Sequence, residues 1–176
     1  TYSKRSLDND KVAYRGAIVQ LTQPSSTNFQ TYGHDATSLT SGFKGSGPDE
    51  GIIINTDGHG EKGHFWSFYA NTLLVEETKE HWWDIKRILR KKSDPIRIER
   101  ATELLKQIMS RVEDRVTKLL NTNHAIPGIG SGGTTASVTA VMIVGRKRTI
   151  IQFAVGDSPM GIYDPSTNKA EKTVTE

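Results

Sequence analysis

Apolar residues recur along this chain with two different periods, and the change of period divides it. Ala17, Ile18, Val19 and Leu21 within Val12 to Thr22 read as a strand, and Gln23 to Asn28 as a Pro/Ser/Thr loop. A shorter strand is predicted near His34 to Leu39. The Gly-, Ser- and Pro-rich stretch Ser41 to Glu50 then turns into an apolar strand over Ile52 to Asn55. After Gly60 the spacing becomes helical: Phe65, Phe68, Tyr69, Leu73, Trp82, Trp83, Ile85, Ile88 and Leu89 recur mostly at helical intervals. Asp94-Pro95 supplies an N-cap followed by proline at the first helical position. From Ile98 onward, Ala101, Leu104, Leu105, Ile108, Met109, Val112, Val116, Leu119 and Leu120 fall on one helical face. This stripe is the packing face of a long helix, not a cofactor box. The helix ends at Asn121 to Asn123, and Pro127-Gly128 secures the stop.

Gly128 to Gly133 is a glycine-rich link into two β-branched strands, Thr134 to Val144 and Thr149 to Val155, with Gly145-Arg146-Lys147-Arg148 as the hairpin turn between them. Gly156-Asp157-Ser158-Pro159 makes a second turn, Met160 to Tyr163 a further strand, and Asp164 to Asn168 another turn. The order is strands, two long helices, then strands again. It predicts an α+β layered domain with antiparallel sheet in place of a βαβ nucleotide-binding fold. Residues 1–11 read as a loose polar segment and 12–176 as part of one domain. The chain opens on Thr1 and stops at Glu176 after a strand-like segment, so a processed form, a fragment or the ordered part of something longer is expected.

The 176 residues suffice for one domain with a real core, at 35% hydrophobic and 24% charged content. No apolar run is long enough for a transmembrane helix, and no charged, apolar, small-residue leader opens the sequence. The absence of cysteine excludes disulfides, thiolate nucleophiles and cysteine zinc sites. The expectation is an intracellular protein, in cytoplasm or nucleus, with no membrane partner. The net charge of +3 is mild, but Lys86, Arg87, Arg90, Lys91, Lys92, Arg97 and Arg100 crowd one stretch. A solvated helix end and turn accounts for them better than a nucleic-acid patch.

Chemistry concentrates elsewhere. Asp57-Gly58-His59-Gly60 follows the apolar run Gly51 to Thr56, placing an acid, a glycine and a histidine where a buried strand should end. A carboxylate there must be solvated, paired or metal-bound, because burying it alone is costly. The glycine lets a metal approach the backbone, and the histidine can handle a proton. Asp157 repeats the arrangement after Ile150 to Val155, and two such aspartates converging on one site would suit Mg²⁺ or Mn²⁺. The competing account is that both are turn formers. Gly130 to Gly133 lacks the Lys-Ser/Thr ending of a phosphate loop and runs into a strand, so it is read as a plain glycine-rich turn.

Three motifs in order carry a family resemblance. Asp57-Gly58-His59-Gly60, followed by Ser67, Tyr69, Ala70 and Leu73 on a helix, resembles the first signature of the PPM/PP2C metal-dependent protein Ser/Thr phosphatases. Ser131-Gly132-Gly133-Thr134-Thr135-Ala136 resembles the family's Ser-Gly-(Ser/Thr)-Thr-Ala strand entry, and Gly156-Asp157-Ser158 its Gly-Asp-Ser-Arg turn, with Pro159 replacing arginine. The resemblance covers residues 12–176, the first half to two-thirds of the family's catalytic domain. It implies a PP2C-like α-β-β-α sandwich, incomplete at the C-terminus, with two divalent metals, Mn²⁺ or Mg²⁺, activating a water for in-line attack on phosphorus. By the same resemblance Asp57 would bridge both metals, Gly58 would lend its carbonyl oxygen, and Asp157 would support the metal–water network. His59 would be the general acid for the leaving alkoxide.

The stretch Gln30-Thr31-Tyr32-Gly33-His34-Asp35 departs from the family's Arg-x-x-Asn-Glu-Asp. Gln30 stands where an arginine would clamp the substrate phosphate and cannot supply its charged fork. His34 stands in the place of a metal-binding glutamate, and only Asp35 is retained. Neutral histidine is a poorer Mg²⁺ ligand than carboxylate but suits Mn²⁺, Fe or Zn²⁺ better. The family's remaining metal aspartates fall in later segments, so this chain alone is not expected to complete a two-metal site. Two functions follow from the resemblance: hydrolysis of phosphoserine or phosphothreonine in a phosphoprotein substrate, or a catalytically inactive pseudophosphatase that binds a regulatory protein as a scaffold. The His81-Trp82-Trp83 aromatics are expected to pack against the second helix, with a partner surface as the alternative.

Overall fold

The computed structural model describes residues 34–60, 62–90, 94–122, 132–157, 160–164 and 168–174. The expected strand at Val12 to Thr22, the loose segment 1–11, the loop Gln23 to Asn28, Gln30, the stop at Pro127-Gly128, Ser131, Ser158 and Pro159 lie outside the described residues. Within them, β1 (Asp35–Ser41), β2 (Gly51–Gly60), β3 (Gly132–Val144) and β4 (Lys147–Val155) form one four-stranded sheet in the order β1-β2-β3-β4. Every pairing in it is antiparallel. Helices α1 (Gly63–Glu80), α2 (Trp82–Leu89) and α3 (Asp94–Thr122) intervene between β2 and β3, and β5 (Met160–Asp164) pairs with β6 (Lys169–Val174) as a separate hairpin. The architecture is α+β, as the order of elements predicts. Among the described residues no helix is long and apolar enough to cross a membrane.

The core lies between the helices and one face of the sheet. Ile52 and Ile54 of β2, with Ala136, Val138, Ala140 and Met142 of β3, meet Leu74 of α1 and the α3 stripe Leu105, Ile108, Val112, Val116 and Leu120. The α3 stripe is narrower than its periodicity suggests: Leu104 and Met109 are half-buried, whereas Ile98 and Leu119 are exposed. On α1 the most buried positions are not the aromatic ones: Phe65, Trp66 and Tyr69 pack half-buried against the core. Gly63, Ser67, Ala70, Asn71 and Leu74 are buried, while Phe68 is 60% exposed. Small and polar residues let the helix lie close to the strands, and polar bonds then fix it there. Asn71 Nδ2 reaches Ala36 O at 3.0 Å and Ile54 O at 3.3 Å, while Ser38 Oγ donates to Asn71 Oδ1. Thr56 Oγ1 lies 3.2 Å from Ala36 O and 3.0 Å from Ser67 O, sharing its single hydrogen between β1 and α1.

Three boundaries differ from the sequence expectation. Strand β2 does not end at Asn55 but continues through Asp57-Gly58-His59 to Gly60, because Gly132 to Thr135 of β3 pair with it residue for residue. Cross-strand partners decide strand length more than propensity does. The β3–β4 turn needs only Gly145, at φ 67°, and Arg146, since Lys147 and Arg148 already pair with Val144 and Ile143. The predicted helix over Phe65 to Leu89 breaks at His81 (φ −90°, ψ 7°), and this turns Trp82 into the core. Trp82 meets Phe43 edge-on at 4.9 Å, while Trp83 is 56% exposed, so the two neighbouring tryptophans part company.

Lys86, expected on a solvated surface, is buried. Its Nζ lies 2.6 Å and 2.8 Å from the two oxygens of Glu50, itself 1% exposed, and sits 5.2 Å from the centre of the Trp83 ring. Glu50 also accepts from Gly47 N at 2.6 Å and from Ile143 N at 2.5 Å. Burial alone would raise the Glu50 carboxyl; the Lys86 ammonium and the two backbone N–H groups outweigh it and hold it below the usual value. This network ties the loop before β2 to α2 and β3. A lowered folded pKa stabilises above the ordinary carboxyl value, and that contribution is lost as pH falls through the lowered one. Lys86→Ala strands a buried carboxylate and should cost about 3 kcal/mol in urea denaturation at neutral pH. The deficit should shrink in acid, where wild type also loses the pair; an unchanged midpoint would disprove the role assigned to it.

Candidate active site

The site is built by strand register. Asp35, the first residue of β1, pairs with Asp57 of β2, and Asp57 pairs with Thr135 of β3. On the next strand Gly156 follows the last pair, Ala136 with Val155, and lies against Thr135: a Cβ on Gly156 would stand 2.7 Å from Thr135 Cγ2. One row across the end of the sheet therefore runs Asp35, Asp57, Thr135, Gly156, and exposed Asp157 follows at its far side. In β2, Thr56 and Gly58 face the helices while Asp57 and His59 alternate outward. Thr134 Oγ1 lies 3.0 Å from Asp57 O, adding a side-chain tie at this end.

Asp35 and Asp57 are close enough to interact. Burial first, then the hydrogen bond to Asp57 and repulsion from its charge, push the Asp35 carboxyl upward, with His34 pulling weakly the other way. Like charges opposed on neighbouring strands repel. Such a pair is also what a divalent cation relieves: Mg²⁺ commonly takes one or two carboxylates and fills the rest of its shell with water. The residues present fit that mode and no fuller one, since among the described residues no three His, Cys, Asp or Glu side chains gather closely enough to hold a metal. Asp157 thus shares the sheet end with the pair without joining it in a ligand set.

The glycines of the motif answer to packing. A Cβ on Gly58 would stand 2.1 Å from Gly63 O and 2.8 Å from His34 O, so the first turn of α1 and the entry to β1 occupy that space. Gly58 N donates to His34 O at 3.0 Å, and the Gly58 carbonyl lies 3.2 Å from His34 Nδ1. His34 and Gly58, which the resemblance assigns to metal, thus bond to each other. Facing a carbonyl oxygen, His34 Nδ1 is the donor of this pair. The exposed His59 ring lies over Gly133, where a Cβ would meet Nε2 at 2.4 Å, and Trp66 of α1 covers Gly132 in the same way. Sequence reasoning missed Trp66 and His64. The His64 ring centre is 5.8 Å from that of His34, and burial first, then the charges of His34 and Lys62, lower its pKa. The spacing Gly58, Gly63 was the available signal for this close helix approach.

Comparison with known proteins gives fold and not sequence kinship. No family model matches the chain, and no curated protein matches it. Among solved structures it is similar to the PPM Ser-Thr phosphatase MsPP from Mycobacterium smegmatis, in complex with cacodylate, at 20% identity and a TM-score of 0.51 over 82% of this chain and 47% of that one. It is also similar to serine-threonine phosphatase 2C from Toxoplasma gondii, at 16% identity and a TM-score of 0.54 over 84% of this chain and 46% of that one. The fold is PP2C-like and partial, and the chain spans just under half the length of the structures it matches.

Two variants test this geometry. Gly58→Ala forces a methyl into the Gly63 backbone and should lose about 1–3 kcal/mol of stability by chemical denaturation; wild-type stability would show that the strand and helix do not touch. For Asp35 the folded pKa is raised, so stability is greatest below the ordinary carboxyl value and is lost as pH rises through the raised one. Asp35→Asn, measured in EDTA, should therefore be more stable than wild type at neutral pH by up to about 1 kcal/mol, with the difference vanishing in acid. A variant less stable at neutral pH would contradict the like-charge reading.

Proposed function

We propose that this protein, in its longest natural form, is a metal-dependent phosphatase that hydrolyses phosphoserine or phosphothreonine in proteins. The observation that carries the reading is the register pairing Asp35 with Asp57 at the sheet end, with His59 two positions further along the same strand. The PP2C-like fold supports it. In this reading Asp57 and Asp35 hold Mn²⁺ or Mg²⁺, with Gly58, His34 and Asp157 around them. When bound, such a cation supplies Lewis-acid charge and lowers the pKa of a water. His59, exposed with its ring over Gly133, hands a proton to the departing serine or threonine oxygen, as a general acid does. Gln30 contributes to phosphate binding as a neutral donor, weaker than the arginine fork it replaces. The partners are phosphoproteins in the cytoplasm or nucleus.

The test is Mn²⁺-dependent release of phosphate from a phosphothreonine peptide, with Asp57→Asn as control. Activity should fall at least about a hundredfold in the control, on the scale of losing a group that stabilises developing charge. Folded protein without turnover would sink the phosphatase reading. It would leave the non-catalytic one, a scaffold that keeps the core and has given up the charges at Gln30, His34 and Pro159.

A further inference from the structure

At the end of the sheet opposite the carboxylates, a groove of about 730 Å³ opens between the last turn of α2, the start of α3 and the β3–β4 hairpin. Ala101, Leu105, Val144 and Ile151 contribute apolar wall, and Ile98 and Ile150 stand 62% and 42% exposed at it. Ile96, next to the groove in sequence, is 51% exposed as well. Ile98 and Ile150 line one groove from two different elements, and exposed apolar side chains gathered in this way mark an interaction surface.

Among the described residues the charged side chains that line this groove are Arg90, Arg97 and Lys147, all of one sign. Arg97 is anchored, its Nη1 lying 3.5 Å from Leu89 O. Among the described residues Arg90 and Lys147 form no ion pair. Arg146 and Arg148, on either side of Lys147 in the sequence, are exposed. Lys86, which belongs to the same run in sequence, is withdrawn from it by Glu50. A nucleic acid would use the cations and leave the isoleucines wet, while an apolar segment without charge would leave the cations unanswered.

From this we infer that the groove is a docking site for an acidic segment of a partner protein whose carboxylates alternate with apolar side chains. The apolar residues cover Ile98 and Ile150 while the carboxylates meet Arg90 and Lys147, so that steering and burial act on one ligand. From Thr135 in the carboxylate row to Val144 at the groove is about 30 Å along extended β3. A segment held here leaves the candidate active site open and raises the local concentration of whatever is tethered to it. The inference does not depend on the protein having phosphatase activity.

The experiment is fluorescence anisotropy with a short labelled peptide alternating Glu with Leu and Phe, against an oligo-glutamate peptide of equal charge and a single-stranded DNA oligonucleotide. The alternating peptide should bind more tightly than both. Ile98→Ser, at an exposed position, should weaken it several-fold without loss of fold. Arg90→Glu with Lys147→Glu should weaken it at least about tenfold and should gain binding to the same peptide with Lys in place of Glu, a gain that also reports a folded protein. Equal binding of oligo-glutamate or DNA, indifference to Ile98→Ser, or no gain in the charge-reversed protein would each overturn the inference.

Discussion

The carboxylate row depends on a contact that contains no side chain, the backbone of Gly58 against the backbone of Gly63. The end of β2 and the first turn of α1 approach so closely that one methyl group would part them. Because the helix starts there, Ser67 and Asn71 fall opposite Thr56 and Ala36, and their hydrogen bonds hold β1 and β2 in register. That register places Asp35 across from Asp57. A glycine in an acid-glycine-histidine motif is easily credited to ligand approach. Here its space is already taken by the fold, and its carbonyl already has His34 within hydrogen-bonding distance.

The fold thus holds two carboxyls in a position that costs stability when both are charged. Nearby groups relieve this little: His34 lowers the Asp35 pKa only as the last and smallest influence. The pair sits at the end of the sheet, on strands whose register is held by hydrogen bonds to α1. The remainder of the domain has a stronger pair of its own kind, Glu50 with Lys86, where opposite charges and two backbone N–H groups satisfy each other in the core. The first joins like charges at the sheet end and the second opposite charges in the core.

Two features stand at opposite ends of the strands: the carboxylates at one end of the sheet and the groove lined by Arg90, Arg97, Lys147, Ile98 and Ile150 at the other. The same sheet carries both. Antiparallel strands of this length put distant side chains on one frame.

Much of this was legible in the sequence. The α3 stripe, the β3–β4 hairpin and the strand over Ile52 to Asn55 follow from residue periodicity, which depends only on local geometry. Asp57 stood out as a carboxylate at the end of an apolar strand and Asp35 through motif resemblance, and the sheet places them in one row. Pairing and burial decided the rest. Strand β2 reaches Gly60 because β3 offers partners there, α1 buries Gly63, Ser67 and Asn71 more deeply than its aromatics, and Lys86 leaves a run of surface cations for Glu50, far away in sequence. No local pattern encodes these, since each is set by what a second, distant segment brings into contact. The sequence by itself determined where helices and strands form and which residues could do chemistry. Only the tertiary structure decided which of those residues meet, because meeting requires the close backbone approach of Gly58 and Gly63 and the strand register it enforces.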